Sequence, residues 1–226
     1  MAAAAAPVST PPMPTVVLIS GNGSNLQALI DACQRGELDL ELRAVIANRD
    51  DAYGLQRARQ AGIAAHAIRP HNDEDRARYD ARLQACIDEY QPKLVLLAGF
   101  MRILSDDFVA HFHGRLLNIH PSLLPKYPGL NTHARALADG ETEHGASIHF
   151  VTEELDGGPV IARYRIPVHA DDTADSLRQR VHLVEHKLYP LVAQWFATGR
   201  LKLGRDGVEL DEQPLRQAID VQIPAP

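Results

Sequence analysis

The chain has 226 residues, of which 45% are hydrophobic, and a formal net charge of -6 at pH 7. A chain of this length buries one good core, so a single large α/β domain is a better expectation than two small ones. The modest, spread charge argues against a nucleic-acid partner and against a polybasic membrane anchor. Its two cysteines, Cys33 and Cys86, lack metal-binding or redox spacing, which is typical of a reduced, cytoplasmic protein.

Residues 1–14 are rich in Ala and Pro and contain no basic segment. They predict a disordered leader rather than an export signal, because a signal needs a charged start and an uninterrupted apolar stretch. Residues 15–226 predict one catalytic domain, and we identify no internal repeat, interdomain linker or transmembrane span in their sequence.

From Thr15 onward, apolar runs typical of buried strands alternate with segments of helical periodicity. The predicted strands are 15–20, 42–48, 65–68, 94–98 and 115–120, and the predicted helices are 25–35, 53–61, 73–90 and 105–111. This alternation predicts an α/β fold with three layers, a mostly parallel twisted sheet with helices on both faces, which is Rossmann-like. The order then becomes less regular, with strands at 146–151 and 160–168, a helix at 173–198 and a hairpin over 201–210.

The first strand-to-helix turn contains two glycines, Gly21 and Gly23. Glycines allow the backbone to approach a ligand closely, and the helix N-terminus that follows attracts an anion. The turn therefore predicts a phosphate ligand, although turn geometry alone also accounts for the glycines. A dinucleotide-binding fingerprint is disfavoured, because Leu26 occupies the position where a third small residue is needed.

Three polar residues in the second half of the chain predict a transfer reaction through a tetrahedral oxyanion. Asn118 and His120 are two residues apart on a strand, so their side chains are expected on the same side. The amide can stabilise an oxyanion, and the imidazole can exchange a proton near neutral pH. Asp156 follows another strand and precedes Gly157 and Gly158, from where its carboxylate can orient His120. The alternative is that Asn118 and Asp156 are turn residues and His120 is a strand-end histidine.

One segment matches a zinc-binding sequence pattern. His182, Glu185 and His186 fit the H-x-x-E-H pattern of inverted zinc peptidases. Zinc catalysis needs a third protein ligand, and no downstream acidic motif supplies one. We therefore expect no metal here.

Four segments resemble the motifs of the phosphoribosylglycinamide formyltransferase family, folate-dependent enzymes of purine synthesis: residues 20–26, 97–104, 118–129 and 149–159. The resemblance is colinear from about Thr15 to about Leu203. It implies a formyltransferase fold and transfer of a formyl group from 10-formyltetrahydrofolate to the amine of glycinamide ribonucleotide, in de novo purine (IMP) biosynthesis. It also implies a monomer or homodimer without metal.

The resemblance assigns roles to residues of this chain. It implies that Asn118, His120 and Asp156 are catalytic. The implied ribonucleotide-binding residues are Gly23, Ser24, Asn25, Leu26, Gln27, His182 and Glu185. The implied folate-binding residues are Arg76, Met101, Arg102, Ile103, Leu104, Asn118, Thr152, Glu153, Glu154, Leu155 and Asp156. His182 departs from the family pattern, in which glutamine is more usual, and Met101, Ile103 and Arg76 also have plain structural interpretations as core or solvated-helix residues.

Three alternative functions follow from the same motifs. A methionyl-tRNA formyltransferase shares the Asn-His-Asp chemistry but needs an additional RNA-binding domain and a basic face. A formyltetrahydrofolate hydrolase uses water as acceptor and usually carries an N-terminal regulatory domain, for which a leader of 14 residues leaves no room. A catalytically silent ligand-binding module on the same fold is disfavoured by the intact Asn118, His120 and Asp156.

Overall fold

A computed structural model describes residues 11–222 of the chain. The predicted leader lies mostly outside the described residues. Its last four residues, 11–14, are described, and the disorder predicted for Met13 and Pro14 is wrong because both belong to the first strand, β1, which spans Met13–Ile19. This strand is completely buried from Val16 to Ile19, as its run of branched apolar residues predicts.

The order of strands and helices follows the predicted alternation. The helices are α1 Ser24–Gln34, α2 Tyr53–Gln60, α3 Arg76–Asp88, α4 Asp106–His111, α5 Thr132–Ala138 and α6 Ala174–Ala197. The further strands are β2 Leu40–Ala47, β3 Ala64–Ala67, β4 Leu94–Leu97, β5 Leu116–His120, β6 Glu143–Phe150, β7 Val160–Pro167, β8 Leu201–Gly204, β9 Gly207–Leu210, β10 Gln213–Pro214 and β11 Ile219–Asp220. Helix α5 and the short strands β10 and β11 are additions to the predicted elements.

The main sheet has eight strands in the order β11-β7-β6-β5-β4-β1-β2-β3. The five strands β3, β2, β1, β4 and β5 are parallel to one another, which confirms the mostly parallel sheet. Strand β6 is antiparallel to both β5 and β7. Its connection to β7 is too short for the crossover that a parallel neighbour requires. Strands β8, β9 and β10 form a separate antiparallel sheet.

Two apolar cores cover the two faces of the main sheet. Side chains alternate along each strand, so Val17 and Ile19 of β1 belong to one core and Val16 and Leu18 to the other. The first core contains the apolar sides of α1, α2 and α6, and the second those of α3 and α4. In residues 11–222, no helix combines the length and the apolar character needed to cross a membrane.

The strand order reverses its direction between β1 and β4. Strand β1 lies between β2 and β4, so the connections leaving β1 and β4 diverge to opposite sides of the sheet. Ligands of open α/β sheets bind at such a point, beyond the carboxyl ends of the strands. The phosphate-loop candidate follows β1, and the Asn118–His120 pair ends β5, two strands away.

Candidate active site

Asn118 and His120 project from the same face of β5. Their neighbours Leu117 and Ile119 belong to the first apolar core, so the alternation of the strand turns the two polar side chains to the opposite face. His120 is only 6% exposed. The spacing predicted from the sequence is therefore realised at the carboxyl end of a parallel strand.

The two ring nitrogens of His120 have different surroundings. Nε2 lies 2.8 Å from the main-chain oxygen of Tyr127, which can only accept, so Nε2 carries a hydrogen and donates it. Nδ1 lies 3.4 Å from Oδ2 of Asp156. The loop after β5 folds back to make this possible, with Ser122 Oγ donating to the main-chain oxygen of Lys126 over 2.6 Å. Nδ1 is consequently the nitrogen that faces the carboxylate.

Asp156 is fixed by the backbone on both sides. Its φ is 52°, in the left-handed region that Asp tolerates better than most residues. The main-chain N–H of Gly129 donates to its Oδ2 over 2.8 Å. A side chain on Gly158 would collide with the main-chain oxygen of Phe150. The Gly157-Gly158 pair thus permits the tight return that carries the Asp156 carboxylate, 9% exposed, to His120.

His149 is a member of the site that the sequence did not reveal. Its Nδ1 donates to the main-chain oxygen of Phe150 over 2.9 Å, and its Nε2 lies 3.0 Å from Nδ2 of Asn118. The same Nε2 is 3.7 Å from Oδ1 of Asp156. Burial lowers the pKa of His149 to about 4, so the ring is neutral near pH 7 and Nε2 accepts a hydrogen from the Asn118 amide.

A cleft beside this group brings together most of the predicted folate-binding residues. Its predicted lining residues are Arg102, Ile103, Leu104, Asn118, Thr152, Glu153, Glu154, Leu155 and Asp156. Leu97, Phe100, Val109, His149 and Val151 complete the lining and were not predicted. The guanidinium carbon of Arg102 lies 4.2 Å from the centre of the Tyr79 ring, and this cation–π contact helps to hold the Arg102 side chain in place.

Two of the predicted folate residues lie outside the cleft lining. Met101 is 67% exposed, and its main-chain N–H donates to Ser20 Oγ over 2.7 Å. The core interpretation of Met101 is therefore wrong, and so is that of Ile103, which is 52% exposed. Arg76 is the first residue of α3 and is exposed, as a residue of a solvated helix would be. Its contact with a glutamate tail stays a prediction.

The predicted ribonucleotide residues gather at the start of α1 and on α6. Gly23 precedes the helix with φ 74°, and the first main-chain N–H groups of α1 have no partner within the helix. Asn25 Nδ2 donates to Glu185 Oε2 over 2.9 Å. Glu185 is 3% exposed, and burial raises its pKa to about 7, opposed in part by this hydrogen bond. Nε2 of His182 lies 4.0 Å from the same carboxylate.

Two residues of the predicted ribonucleotide set have side chains that are engaged within the protein. The Leu26 side chain is completely buried in the first core, so only its main chain can face a ligand, and that contact stays a prediction. Gln27 Nε2 donates to Asp31 over 2.8 Å, and Oε1 accepts from Arg57 over 3.2 Å. The Gln27 side chain is therefore linked to Asn22, in the loop before α1, through Arg57.

The buried carboxylate of the H-x-x-E-H segment is hydrogen-bonded to Asn25. The rings of His182 and His186 are stacked with centres 6.3 Å apart, while Glu185 points to Asn25. Within residues 11–222, no three His, Cys, Asp or Glu side chains are grouped so that they could hold a metal ion.

Comparisons with known proteins give close matches over most of the chain. A family model described as formyl transferase matches residues 13–193. The phosphoribosylglycinamide formyltransferase of Escherichia coli is 58% identical over 203 residues, which cover 90% of this chain and 96% of that protein. The enzyme of the same name from Haemophilus influenzae is 43% identical and covers 88% of this chain and 94% of its own length. The solved structure of phosphoribosylglycinamide formyltransferase from Coxiella burnetii has a TM-score of 0.88 at 55% identity, covering 92% of this chain and 99% of that one.

Proposed function

The chain belongs to the formyl transferase family, and from that premise we propose that it is a phosphoribosylglycinamide formyltransferase. The enzyme transfers the formyl group of 10-formyltetrahydrofolate to the amine of N1-(5-phosphoribosyl)glycinamide. The products are the N-formyl compound and tetrahydrofolate, at one step of de novo purine biosynthesis. The observation that carries the proposal is the contact of Asp156 with His120 beside a cleft that Asn118 and Asp156 both line.

Asn118 and His120 stabilise the charge that develops on the formyl oxygen. The acceptor amine attacks the formyl carbon, and the oxygen becomes an oxyanion that needs hydrogen-bond donors. An amide has two N–H groups, and His149 occupies one of those on Asn118, so the other remains for the oxyanion. Protonated His120 supplies the second donor through Nδ1, since Nε2 is committed to Tyr127.

Asp156 supports the charge on His120 and assists proton movement. Its Oδ2 is 3.4 Å from Nδ1, longer than a usual N–H···O bond, so the carboxylate stabilises the imidazolium without fully occupying its proton. A C–N bond forms to the acceptor and the bond to the folate nitrogen breaks. One proton leaves the amine and one reaches that nitrogen, and Asp156 relays it through water. These steps use no covalent enzyme intermediate and no metal.

The two substrates approach from opposite sides of His120. The 10-formyltetrahydrofolate ring occupies the cleft between residues 100–104 and 152–156, where apolar side chains and main-chain groups meet its flat face and polar edge. The ribonucleotide lies along the loop from Gly23 to Asn25, with its phosphate at the start of α1 and its ribose near Glu185. A cytoplasmic location and a monomeric or homodimeric state stay predictions.

An acceptor panel tests the function directly. The purified chain is incubated with 10-formyltetrahydrofolate and one of three acceptors, namely glycinamide ribonucleotide, water alone or charged initiator tRNA, and tetrahydrofolate release is followed. Release that depends on glycinamide ribonucleotide is expected. Release without an added acceptor would indicate a hydrolase, and release that requires the tRNA would indicate a tRNA formyltransferase. An inactive chain that still binds both small molecules would be a silent binding module.

A further inference from the structure

Arg57 of α2 forms hydrogen bonds to the loop that precedes α1. Its Nε donates to the main-chain oxygen of Asn22 over 2.9 Å, and its Nη2 donates to Asn22 Oδ1 over 3.0 Å. The remaining nitrogen, Nη1, donates to Gln27 Oε1 over 3.2 Å. The planar guanidinium thus binds Asn22 with a two-pronged fork and reaches the first turn of α1 at the same time.

The close packing of α2 against this loop restricts the position of the Arg57 guanidinium. A side-chain carbon added to Gly23 would lie 2.7 Å from the Cα of Gly54 and 3.6 Å from Cδ of Arg57. The main-chain N–H of Gly54 also donates to the main-chain oxygen of Gly21 over 3.1 Å. The Arg57 guanidinium carbon lies 4.8 Å from the centre of the Tyr53 ring. Arg57 therefore has little freedom to leave the loop.

The Arg57 guanidinium forms no direct ion pair within the described residues, and Gln27 stands between it and Asp31, the carboxylate that lines the same cavity as Arg57. Other arginines of this region form ion pairs, for example Arg49 with Asp51 and Arg69 with Asp50. In the part of the chain that the structure describes, Arg57 forms hydrogen bonds to uncharged oxygens and no ion pair. It also lines one cavity of about 380 Å³ together with Ser24 and His186, whose buried Nε2 has no hydrogen-bond partner. A cation without a direct ion pair beside a helix N-terminus strengthens the attraction for an anion, although Asp31 offsets part of that charge here.

We infer that Arg57 is a positioning residue for the 5′-phosphate of the acceptor. By fixing Asn22 it sets the direction of the main-chain N–H groups of Gly23, Ser24 and Asn25, and its charge favours the phosphate in that place. The inference rests on the proposed function, because the ribonucleotide phosphate is the anion in question. It extends the phosphate site from α1 to α2.

The test compares Arg57→Met and Arg57→Lys with the control Arg59→Met, which removes a charge from an exposed position of the same helix. Inorganic phosphate is titrated calorimetrically into each protein, and steady-state constants are measured for both substrates. Arg57→Met is expected to weaken phosphate binding and raise the ribonucleotide KM by roughly tenfold or more, the scale of a lost charge-assisted contact. The folate KM is expected to stay within about twofold in the same variant. Arg57→Lys is expected to recover part of the loss, because it keeps the charge but cannot form the fork.

Each outcome has a separate meaning. Equal increases in both KM values, or a similar loss in Arg59→Met, would overturn the inference in favour of a general structural role. Unchanged phosphate binding in a folded Arg57→Met protein would also overturn it. Thermal melting of each variant identifies unfolded protein, and in that case Arg57→Lys alone provides the comparison. The phosphate titration needs no turnover, so it remains decisive for Arg57 even if the acceptor panel contradicts the proposed function.

Discussion

Asn118 is held by His149, which lies directly opposite it in the neighbouring antiparallel strand. The two residues are paired in the register of β5 and β6, and Nδ2 of the amide is 3.0 Å from Nε2 of the ring. Since Nδ1 of His149 donates to the main-chain oxygen of Phe150, the ring presents a lone pair to Asn118. The amide is thereby turned with its NH₂ group toward the site, which is the orientation that oxyanion stabilisation requires.

Removal of this support should impair turnover without removing the donor. We expect His149→Ala to lower kcat by roughly tenfold, less than the roughly 10²-fold or greater loss expected for Asn118→Ala, because a misdirected amide still donates part of the time. The KM for the ribonucleotide should change little. Steady-state kinetics of the two single variants and the double variant measure the effect. Additive losses in the double variant would contradict the coupling, since a support residue has nothing left to support once Asn118 is gone.

The sequence predicted one half of this arrangement and not the other. Asn118 and His120 are on one strand, where period-two alternation places them together. His149 reaches Asn118 only through the register of an antiparallel pair, and the sequence does not specify which residues of two strands are opposite each other. His149 lies in a segment that resembles the family motifs, and that was the available signal. The approach of Asp156 to His120 likewise depends on the turn at Gly157-Gly158.

Leu26 and helix α5 are two further places where a sequence pattern alone does not specify the structure. The resemblance placed Leu26 in the ribonucleotide site, and the structure buries its side chain in the first core, so a ribonucleotide contact through its main chain stays a prediction. Helix α5 has only seven residues, too few for periodicity to distinguish it from a loop. It begins after Asn131, whose φ of 57° is a conformation that the sequence pattern does not reveal.

Among the histidines of the site, His120 is expected to contribute most to the catalytic rate. We expect His120→Ala to lower kcat by roughly 10²-fold or more, the usual loss for a positioned acid-base group. Ribonucleotide affinity should remain near the wild-type value, because the predicted ribonucleotide contacts lie on α1 and α6. The exposed His113→Ala variant is the matched control and should retain full activity. Near wild-type kcat in a folded His120→Ala protein would remove His120 from the mechanism.

Asp156 can be tested by a nearly isosteric change. Asn tolerates the left-handed backbone at this position, and its side-chain oxygen can still accept from Gly129, so Asp156→Asn should keep the fold. Without the carboxylate the protonated ring of His120 is less favoured, and we expect kcat to fall by roughly tenfold or more with a changed pH–rate profile. Melting temperature and kcat measured from pH 5 to pH 9 provide the readouts. Full activity with an unaltered profile would support a purely structural turn residue.

The two glycines of the phosphate-loop candidate should differ sharply in their tolerance of a side chain. Gly23 has φ 74°, and an added carbon would lie 2.7 Å from the main chain of Gly54. Gly21 has open space around it and is the matched control. We expect Gly23→Ala to raise the ribonucleotide KM several-fold more than the folate KM, and to cost on the order of 1 kcal/mol of stability, whereas Gly21→Ala should stay within about 0.5 kcal/mol of wild type.

Calorimetric titration of each ligand into the two glycine variants separates ligand binding from stability. Inorganic phosphate should compete with the ribonucleotide for wild type and Gly21→Ala, and much less for Gly23→Ala. Equal losses of affinity for ribonucleotide and folate in Gly23→Ala would mean that the loop serves the fold rather than the phosphate.

Glu185 should make the free energy of unfolding depend on pH in the direction opposite to that of a carboxylate whose pKa is lowered by an ion pair, such as Glu74 beside Arg82. Burial raises its pKa from 4.5 to about 7, so the folded chain binds this proton more tightly than the unfolded chain does. The stabilisation from this proton is therefore complete below about pH 4.5 and is lost as the pH rises toward 7. At pH 8 the ionised, buried carboxylate costs up to about 3 kcal/mol relative to the protonated group.

Glu185→Gln should remove this dependence. The amide oxygen of glutamine can still accept from Asn25, and the new side chain has no proton to lose. We expect the variant to be more stable than wild type at pH 8 and similar to it at pH 5, as measured by chemical denaturation at both values. Glu89→Gln, at an exposed helix end, is the control and should leave the pH dependence unchanged. A wild-type pH dependence in Glu185→Gln would show that another group is responsible.

Ribonucleotide binding adds a second readout of the Glu185 charge. Ribose hydroxyls donate better to the ionised carboxylate, so affinity should rise through about pH 7 only when Glu185 is present.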